Sequence, residues 1–370
     1  MTNAEGESVP RVRRQVAIVA LGEIQGVGHT TAIRLYDSPH FDSLFTATRD
    51  EAHWIASSAG VDRPHAFADA LARNRDDALQ RAAETLEQYE DRNVTLILDR
   101  DPAYPSILKS IPDPPRWLFV RGNVSILSSQ RLITVVGTRK PSHYGIALAN
   151  RIAELLVKND FVIVSGLAEG IDGAVHDQVV TMGGQTIAIL GTGLENNFPQ
   201  STAHLRSPIV KHGGAIVTEY FNKEQYSRQR FVQRNRIQAA LSQITVPVEA
   251  GVPSGTLHTI RFAEQFGRLV VGVKTPGVPE TALHSLLRER GFPVIEVPES
   301  DDPFMAAVAT KYRYQIFGQV GERERRAGEV DAIVKYVRAR AKRAGLGEIE
   351  IRQIVNGISG KDESEGVVNR

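Results

Sequence analysis

The stretch Phe161-Val-Ile-Val-Ser-Gly-Leu-Ala-Glu-Gly-Ile-Asp-Gly-Ala-Val-His176 carries the fold in miniature. A short apolar run, Phe161–Val164, is followed by small residues and then by a helical pattern from Gly173 to Met182. An apolar strand that turns through glycine into a helix is the opening half of a βαβ unit. The same texture recurs on both sides. Apolar, mostly β-branched runs stand at Leu132–Val136, Thr186–Leu190, Ala215–Val217, Ile244–Val248, Leu269–Val273 and Pro293–Val297. Helical patterns at Ile146–Val157 and Leu257–Phe266 lie between several of them. Nearly continuous apolar strands joined by helical crossovers predict an α/β class, with a Rossmann-like, doubly wound and mostly parallel sheet covered on both faces. This domain is expected over residues 131–300.

The flanks read differently. Residues 1–14 are expected as a flexible tail and residues 15–90 as a small helical domain. Thr48 and Glu51 have the spacing of a capping box. The turn Gly26-Val-Gly28 ahead of an amphipathic run has a helix–hairpin–helix pattern, whose backbone N–H groups either receive a phosphate or simply close a tight turn. Residues 91–130 carry Pro102, Pro105, Pro112, Pro114 and Pro115 and are expected as a connector, with one strand at Val94–Leu98. Residues 301–321 read as a linker. Residues 322–370 read as a helical C-terminal region, with a basic amphipathic helix at Arg326–Arg343 that suits either packing or a partner.

Composition narrows the chemistry. The chain has no cysteine, which excludes disulfides, thiolate zinc sites, iron–sulfur clusters and cysteine nucleophiles. The longest apolar runs, such as Val16–Leu21, fall far short of the ~20 residues of a membrane helix, and the polar start shows no signal core. A cytoplasmic protein without membrane association is expected. No G-x-G-x-x-G follows a strand, and there is no Walker loop, no His-Glu-x-x-His and no G-x-S-x-G, so no cofactor or metal is expected. Asp172 and His176 stand four apart, a spacing open to acid–base work but more typical of a carboxylate capping a helix start.

Forty-four basic and 43 acidic residues leave a formal charge of +1, so any anionic partner must be met by local clustering. The densest cluster runs from Lys223 to Arg236, where Lys223, Arg228, Arg230, Arg234 and Arg236 face the single acid Glu224, with Tyr226 and Phe231 interleaved. Basic side chains neutralise phosphates and an aromatic face stacks on an unpaired base. The segment is expected as a basic loop beside the sheet edge that presents Arg139 and Lys140. In an open α/β sheet, ligands bind beyond the carboxyl ends of the strands. Ser165, Gly166, Gly170, Gly191, Gly193, Ser254, Gly255 and Thr256 fall at such ends and are expected as a phosphate-accepting rim.

The order Gly137-Thr-Arg139, Ser165-Gly-Leu-Ala-Glu-Gly-Ile-Asp172 with His176, Gly191-Thr-Gly-Leu, Phe198-Pro199, Phe231-x-x-Arg-Asn-Arg-Ile237, Glu249 and Ser254-Gly-Thr-Leu257 resembles the DNA-processing protein A (DprA, or Smf) family. The likeness covers roughly residues 15–297, and the helical N-terminus resembles that family's sterile-alpha-motif-like domain. The resemblance implies a dimeric cytosolic protein, with no catalysis, that binds single-stranded DNA during DNA uptake and hands it to the recombinase RecA. It implies a phosphate contact at Arg139, base stacking at Phe231, and further contacts at Arg234, Asn235 and Arg236. The alternative is a nucleotide-binding Rossmann sensor or a hydrolase resembling the LOG-type phosphoribohydrolases, with a place in anti-phage defence. In this chain Thr259 stands where the catalytic Glu of that hydrolase motif would be.

Overall fold

The computed structural model describes residues 5–297 together with 304, 305 and 308, with side chains from Arg14 onward. The chain divides into two compact units, Met1–Pro303 and Phe304–Arg370, and every element named in this section belongs to the first. The helical C-terminal region and the helix expected at Arg326–Arg343 lie outside the described residues, as do all but three residues of the expected linker.

In chain order the elements are helices α1 (Glu5–Glu23), α2 (His29–Tyr36), α3 (Arg49–Ser58) and α4 (Pro64–Asp91), strand β1 (Val94–Leu98), α5 (Ser106–Lys109), β2 (Trp117–Gly122), β3 (Leu132–Val136), α6 (His143–Lys158), β4 (Val162–Ser165), α7 (Ile171–Thr181), β5 (Thr186–Ile189), α8 (Arg206–Lys211), β6 (Ala215–Thr218), α9 (Arg228–Leu241), β7 (Ile244–Pro247), α10 (Thr256–Gln265), β8 (Leu269–Val270), β9 (Gly272–Lys274), α11 (Ala282–Glu289) and β10 (Val294–Glu296). The main sheet has eight strands in the order β1-β2-β6-β5-β4-β3-β7-β8. β3 to β8 pair in parallel, and β2 runs antiparallel between β1 and β6. The Rossmann-like part thus matches the expectation from sequence, including the pattern of buried strands.

Three expectations change. The tail expected over residues 1–14 is helical from Glu5, so the boundary placed at 14 falls inside α1. The connector contains a second strand, β2, because its prolines end at Pro115 and leave Trp117–Gly122 free to donate to both neighbours. The run Leu269–Val273 splits. β8 closes the edge of the main sheet, and β9 leaves it to pair with β10 in a second, two-stranded sheet. The capping box stands as expected: the Glu51 backbone N–H donates to the Thr48 hydroxyl, and the Thr48 N–H donates to the Glu51 carboxylate at 2.7 Å.

Period-two alternation sets the two faces of the sheet. Leu96, Leu98, Trp117 and Phe119 point to one side and share a core with Ile18, Leu21, Leu35 and Phe41 of the helical region. Ile97, Leu118 and Val120 point to the other side and pack with Ile189, Val217, Ile237 and Leu241. Trp117 joins the helices to the sheet. Its ring lies 5.5 Å from that of His29 and 5.7 Å from those of Tyr36 and Phe221, and its indole N–H donates to the Glu219 carbonyl at 2.9 Å. Trp117→Ala is expected to cost about 3–5 kcal/mol of unfolding free energy, read by chemical denaturation. A loss below ~1 kcal/mol would show that the helical region does not depend on this ring.

Candidate functional site

From β3 the chain builds β4, β5 and β6 to one side, then crosses through α9 to place β7 and β8 on the other. The switch point lies between β3 and β7, where crossovers leave in opposite directions and a crevice opens. A cavity of about 570 Å³ occupies this place. Its walls come from the loop after β3 (Gly137, Thr138, Arg139, Lys140), the start of α9 (Arg228, Phe231, Arg234, Asn235) and the loop into α10 (Ser254, Gly255, Thr256), with Tyr226 at the rim. Backbone bonds brace the loops: the Thr138 N–H donates to the Glu249 carbonyl at 2.7 Å, and the Ile171 N–H donates to the Thr138 carbonyl at 3.1 Å.

The segment from Lys223 to Arg236 is a loop only as far as Ser227; from Arg228 it is helix α9. The helix has no apolar stripe, because polar side chains as well as apolar ones point inward. This divides the cationic cluster into three sets. Arg139, Lys140 and Arg228 are exposed at the cavity with no acidic partner among the described residues. Lys223 and Arg230 turn toward the helical region: the Lys223 ammonium donates to the Ile24 carbonyl at 3.3 Å, and Arg230 donates to the Gln225 carbonyl at 2.8 Å and lies 3.5 Å from Glu224.

Arg234 and Arg236 form the third set, and both are buried. Arg234 donates to the carbonyls of Gly166 (2.6 Å) and Ile189. Burial pushes its pKa down to about 10, against the opposing pull of Asp172. Arg236 makes a bidentate pair with Glu219 at 2.5 and 2.7 Å and also donates to the Asp113 carbonyl at 2.9 Å. His29 Nε2 lies 3.2 Å from the same Glu219 carboxylate. Burial alone would raise the Glu219 pKa and lower that of Arg236, but their mutual attraction wins and moves each the opposite way. The contacts expected at Arg234 and Arg236 are thus taken up inside the protein. Their charge is plain in the sequence; the carbonyls and carboxylate that receive it are not.

Phe231 lines the cavity but is only 7% exposed, so little of its ring is open to the stacking role expected for it. The guanidinium carbons of Arg139 and Arg234 sit 5.5 and 5.3 Å from its centroid. Asn235 bridges α9 and α10 by accepting from Arg234 Nε at 3.1 Å and donating to the Gly255 carbonyl at 3.5 Å.

Much of the expected glycine rim is packing rather than rim. Ser165 is buried and donates its hydroxyl proton to the Val135 carbonyl at 2.7 Å. A Cβ on Gly166 would lie 2.6 Å from both Asp172 Oδ2 and Gln238 Nε2. One on Gly191 would lie 2.8 Å from the Phe231 ring. Ser254, Gly255 and Thr256 remain at the cavity, and a Cβ on Gly255 would meet nothing within 4 Å.

Carboxylates explain which helix starts stay open. Glu224 accepts from the His29 N–H at 2.8 Å, so the hairpin turn Gly26–Gly28 presents its helix start to the chain's own acid. Glu249 accepts from the Ser142 N–H at 3.1 Å and from its hydroxyl at 2.8 Å, at the start of α6. Asp172, in the first turn of α7, accepts from the Gly166 N–H at 3.1 Å. Burial raises its pKa, while Arg234 and backbone N–H groups oppose that shift. His176 faces away, with Nδ1 2.9 Å from the Thr186 hydroxyl, and burial drives its pKa down to about 3. The two are not an acid–base pair. The starts of α9 and α10 have no acid in the first turn and no side-chain cap, and both border the cavity. Two uncapped helix starts and three cations without acidic partners among the described residues give the cavity the features that suit an anion.

The buried pair and the cavity cations are expected to separate under mutation. Arg236→Ala should destabilise by about 3–5 kcal/mol, because it strands Glu219 in the interior, whereas Arg139→Ala should stay within ~0.5 kcal/mol. Both are read by denaturation. Glu219 has a folded pKa below its unfolded value, so its contribution is present above about pH 4.3 and is lost as pH falls. The stability gap between the native chain and Glu219→Gln should therefore narrow in acid; a gap that widens there would contradict the pairing.

A profile of the family described as DNA recombination-mediator protein A matches residues 95–290. The protein Smf of Synechocystis is 34% identical over 266 residues, a match that covers 71% of this chain and 65% of that protein's length. The X-ray structure of DNA processing protein A from Streptococcus pneumoniae superposes with a TM-score of 0.61 at 29% identity, covering 76% of this chain and 94% of that one. The DNA processing protein A of Helicobacter pylori, described for its single-stranded DNA binding mode, superposes at 0.52 and 23% identity, covering 59% and 97%; at that identity the likeness concerns the fold. Among the described residues no helix is long and apolar enough to cross a membrane.

Proposed function

This chain belongs to the DNA recombination-mediator protein A family, and we propose that it binds single-stranded DNA in the cleft between β3 and β7. The observation that carries this reading is the set Arg139, Lys140 and Arg228, left without acidic partners among the described residues beside the open starts of α9 and α10. Successive phosphates of a strand fit spaced cations and N–H groups, with no need for a base code. The names of the relatives, and the strand binding described for the Helicobacter protein, support the same ligand.

The reading is one of binding without catalysis. Asp172 is the one carboxylate lining the cleft among the described residues; it is buried against backbone N–H groups, and Thr259 stands at the position of the hydrolase glutamate. That favours strand binding over nucleotide hydrolysis. The family's description as a recombination mediator supports a second step in which the bound strand is handed on for recombination; that a dimer does so in the cytosol, and to RecA, is what the resemblance implies.

Oligo-dT should bind more tightly than duplex of the same length, as read by fluorescence anisotropy. Arg139→Ala and Arg228→Ala should each weaken binding about 5-fold or more, on the order of 1–2 kcal/mol. Each should also reduce the salt slope by about 0.7. Tight binding of a mononucleotide, with no affinity for the oligonucleotide, would overturn the proposal. For the second step, RecA filaments should nucleate faster on a strand precoated with single-strand-binding protein when this chain is added. An unchanged lag would remove RecA transfer while leaving strand binding in place.

A further inference from the structure

We infer that Tyr226 and Phe198 form a stacking platform for one unpaired base at the mouth of the cleft, an assignment that rests on the strand-binding reading above. Two aromatic rings lie side by side there and stay in water: Tyr226 is 48% exposed and Phe198 39%. Their centroids are 4.7 Å apart with the planes tilted by 45°. Large apolar rings gain by burial, so a contiguous exposed pair beside a ligand cleft marks a surface that something covers.

Phe231 is the foundation of this pair. Its ring lies 5.0 Å from Tyr226 and 5.6 Å, edge to face, from Phe198. Arg139 and Arg234 hold it from the other directions, and the missing side chain of Gly191 gives it room. The platform is therefore held in place before any ligand arrives. Tyr226 comes from the loop before α9, two residues from Arg228, and Phe198 from the loop after β5. Both sit where the chain leaves the carboxyl edge of the sheet.

Charge selects the occupant. Tyr226 shares the cavity wall with Arg139, Lys140 and Arg228, so what covers the rings must bring negative charge and a flat π face together. An unpaired nucleobase on its phosphate backbone does so, and bases in a duplex already have their faces covered by neighbours. Stacking of this kind tolerates any base and makes no demand on its edge. The platform therefore supplies preference for single strands without sequence specificity.

Anisotropy with the full chain tests this on two strands, oligo-dT and an abasic strand of equal length. Tyr226→Ala should weaken oligo-dT binding by roughly 5- to 150-fold and leave the salt slope unchanged, since no phosphate contact is lost. Phe198→Ala should act in the same direction, and Tyr226→Phe should bind as the native chain does. The abasic strand should bind the native chain and Tyr226→Ala equally. Undiminished oligo-dT binding by Tyr226→Ala, or an equal loss on both strands, would overturn the platform while the cleft reading stands. Failure of the native chain to bind either strand would overturn the cleft reading itself.

Discussion

The buried pair between Arg236 and Glu219 is the constraint on which the rest of this unit depends. Arg236 lies on α9 and Glu219 follows β6, and the same carboxylate faces His29 at the start of α2 while its backbone carbonyl receives the Trp117 indole. Asp113, before β2, adds its carbonyl to the guanidinium. Helical region, connector, sheet and crossover helix thus meet at one charge pair. Two ions removed from water are stable only when each satisfies the other and the remaining donors find acceptors. Here the bidentate geometry and the flanking carbonyl do so. That anchors α9, and the first turn of α9 in turn sets the position of Arg228 at the cleft.

The chain also divides its charges by function. Glu224, Glu249 and Asp172 each occupy the N–H groups of a helix start or its adjoining loop, and Arg234 and Arg236 are satisfied by carbonyls and Glu219. Among the described residues, what remains uncompensated at the switch point is positive: three side chains and two helix starts. A net charge of +1 conceals this, because it averages over the whole chain while these three cations gather in one crevice.

Parts of this arrangement are legible in the sequence. The strands from β3 to β7 fall within a residue or so of the apolar runs, since buried parallel strands are unbroken apolar segments bounded by glycine turns. Thr48 and Glu51 name their own helix start. Trp117–Gly122 is hidden, because prolines just upstream dominate the local pattern and its partners are β1 and the distant β6. The basic stretch stands out by its charge but not as a helix, since inward-pointing arginines erase the amphipathic signal.

By itself the sequence determined the class of fold, the run of its parallel strands, the family signature and the presence of cations and aromatics near one sheet edge. Those follow from local periodicity, turn chemistry and motif order. Only the tertiary structure decided which of them stay exposed at the cleft. Arg139, Lys140 and Arg228 stay in solvent, Arg234 and Arg236 are buried, and Tyr226 rather than Phe231 shows its ring. Burial and pairing depend on residues more than a hundred positions apart in sequence, such as Arg236 and Asp113, and no local pattern records those contacts.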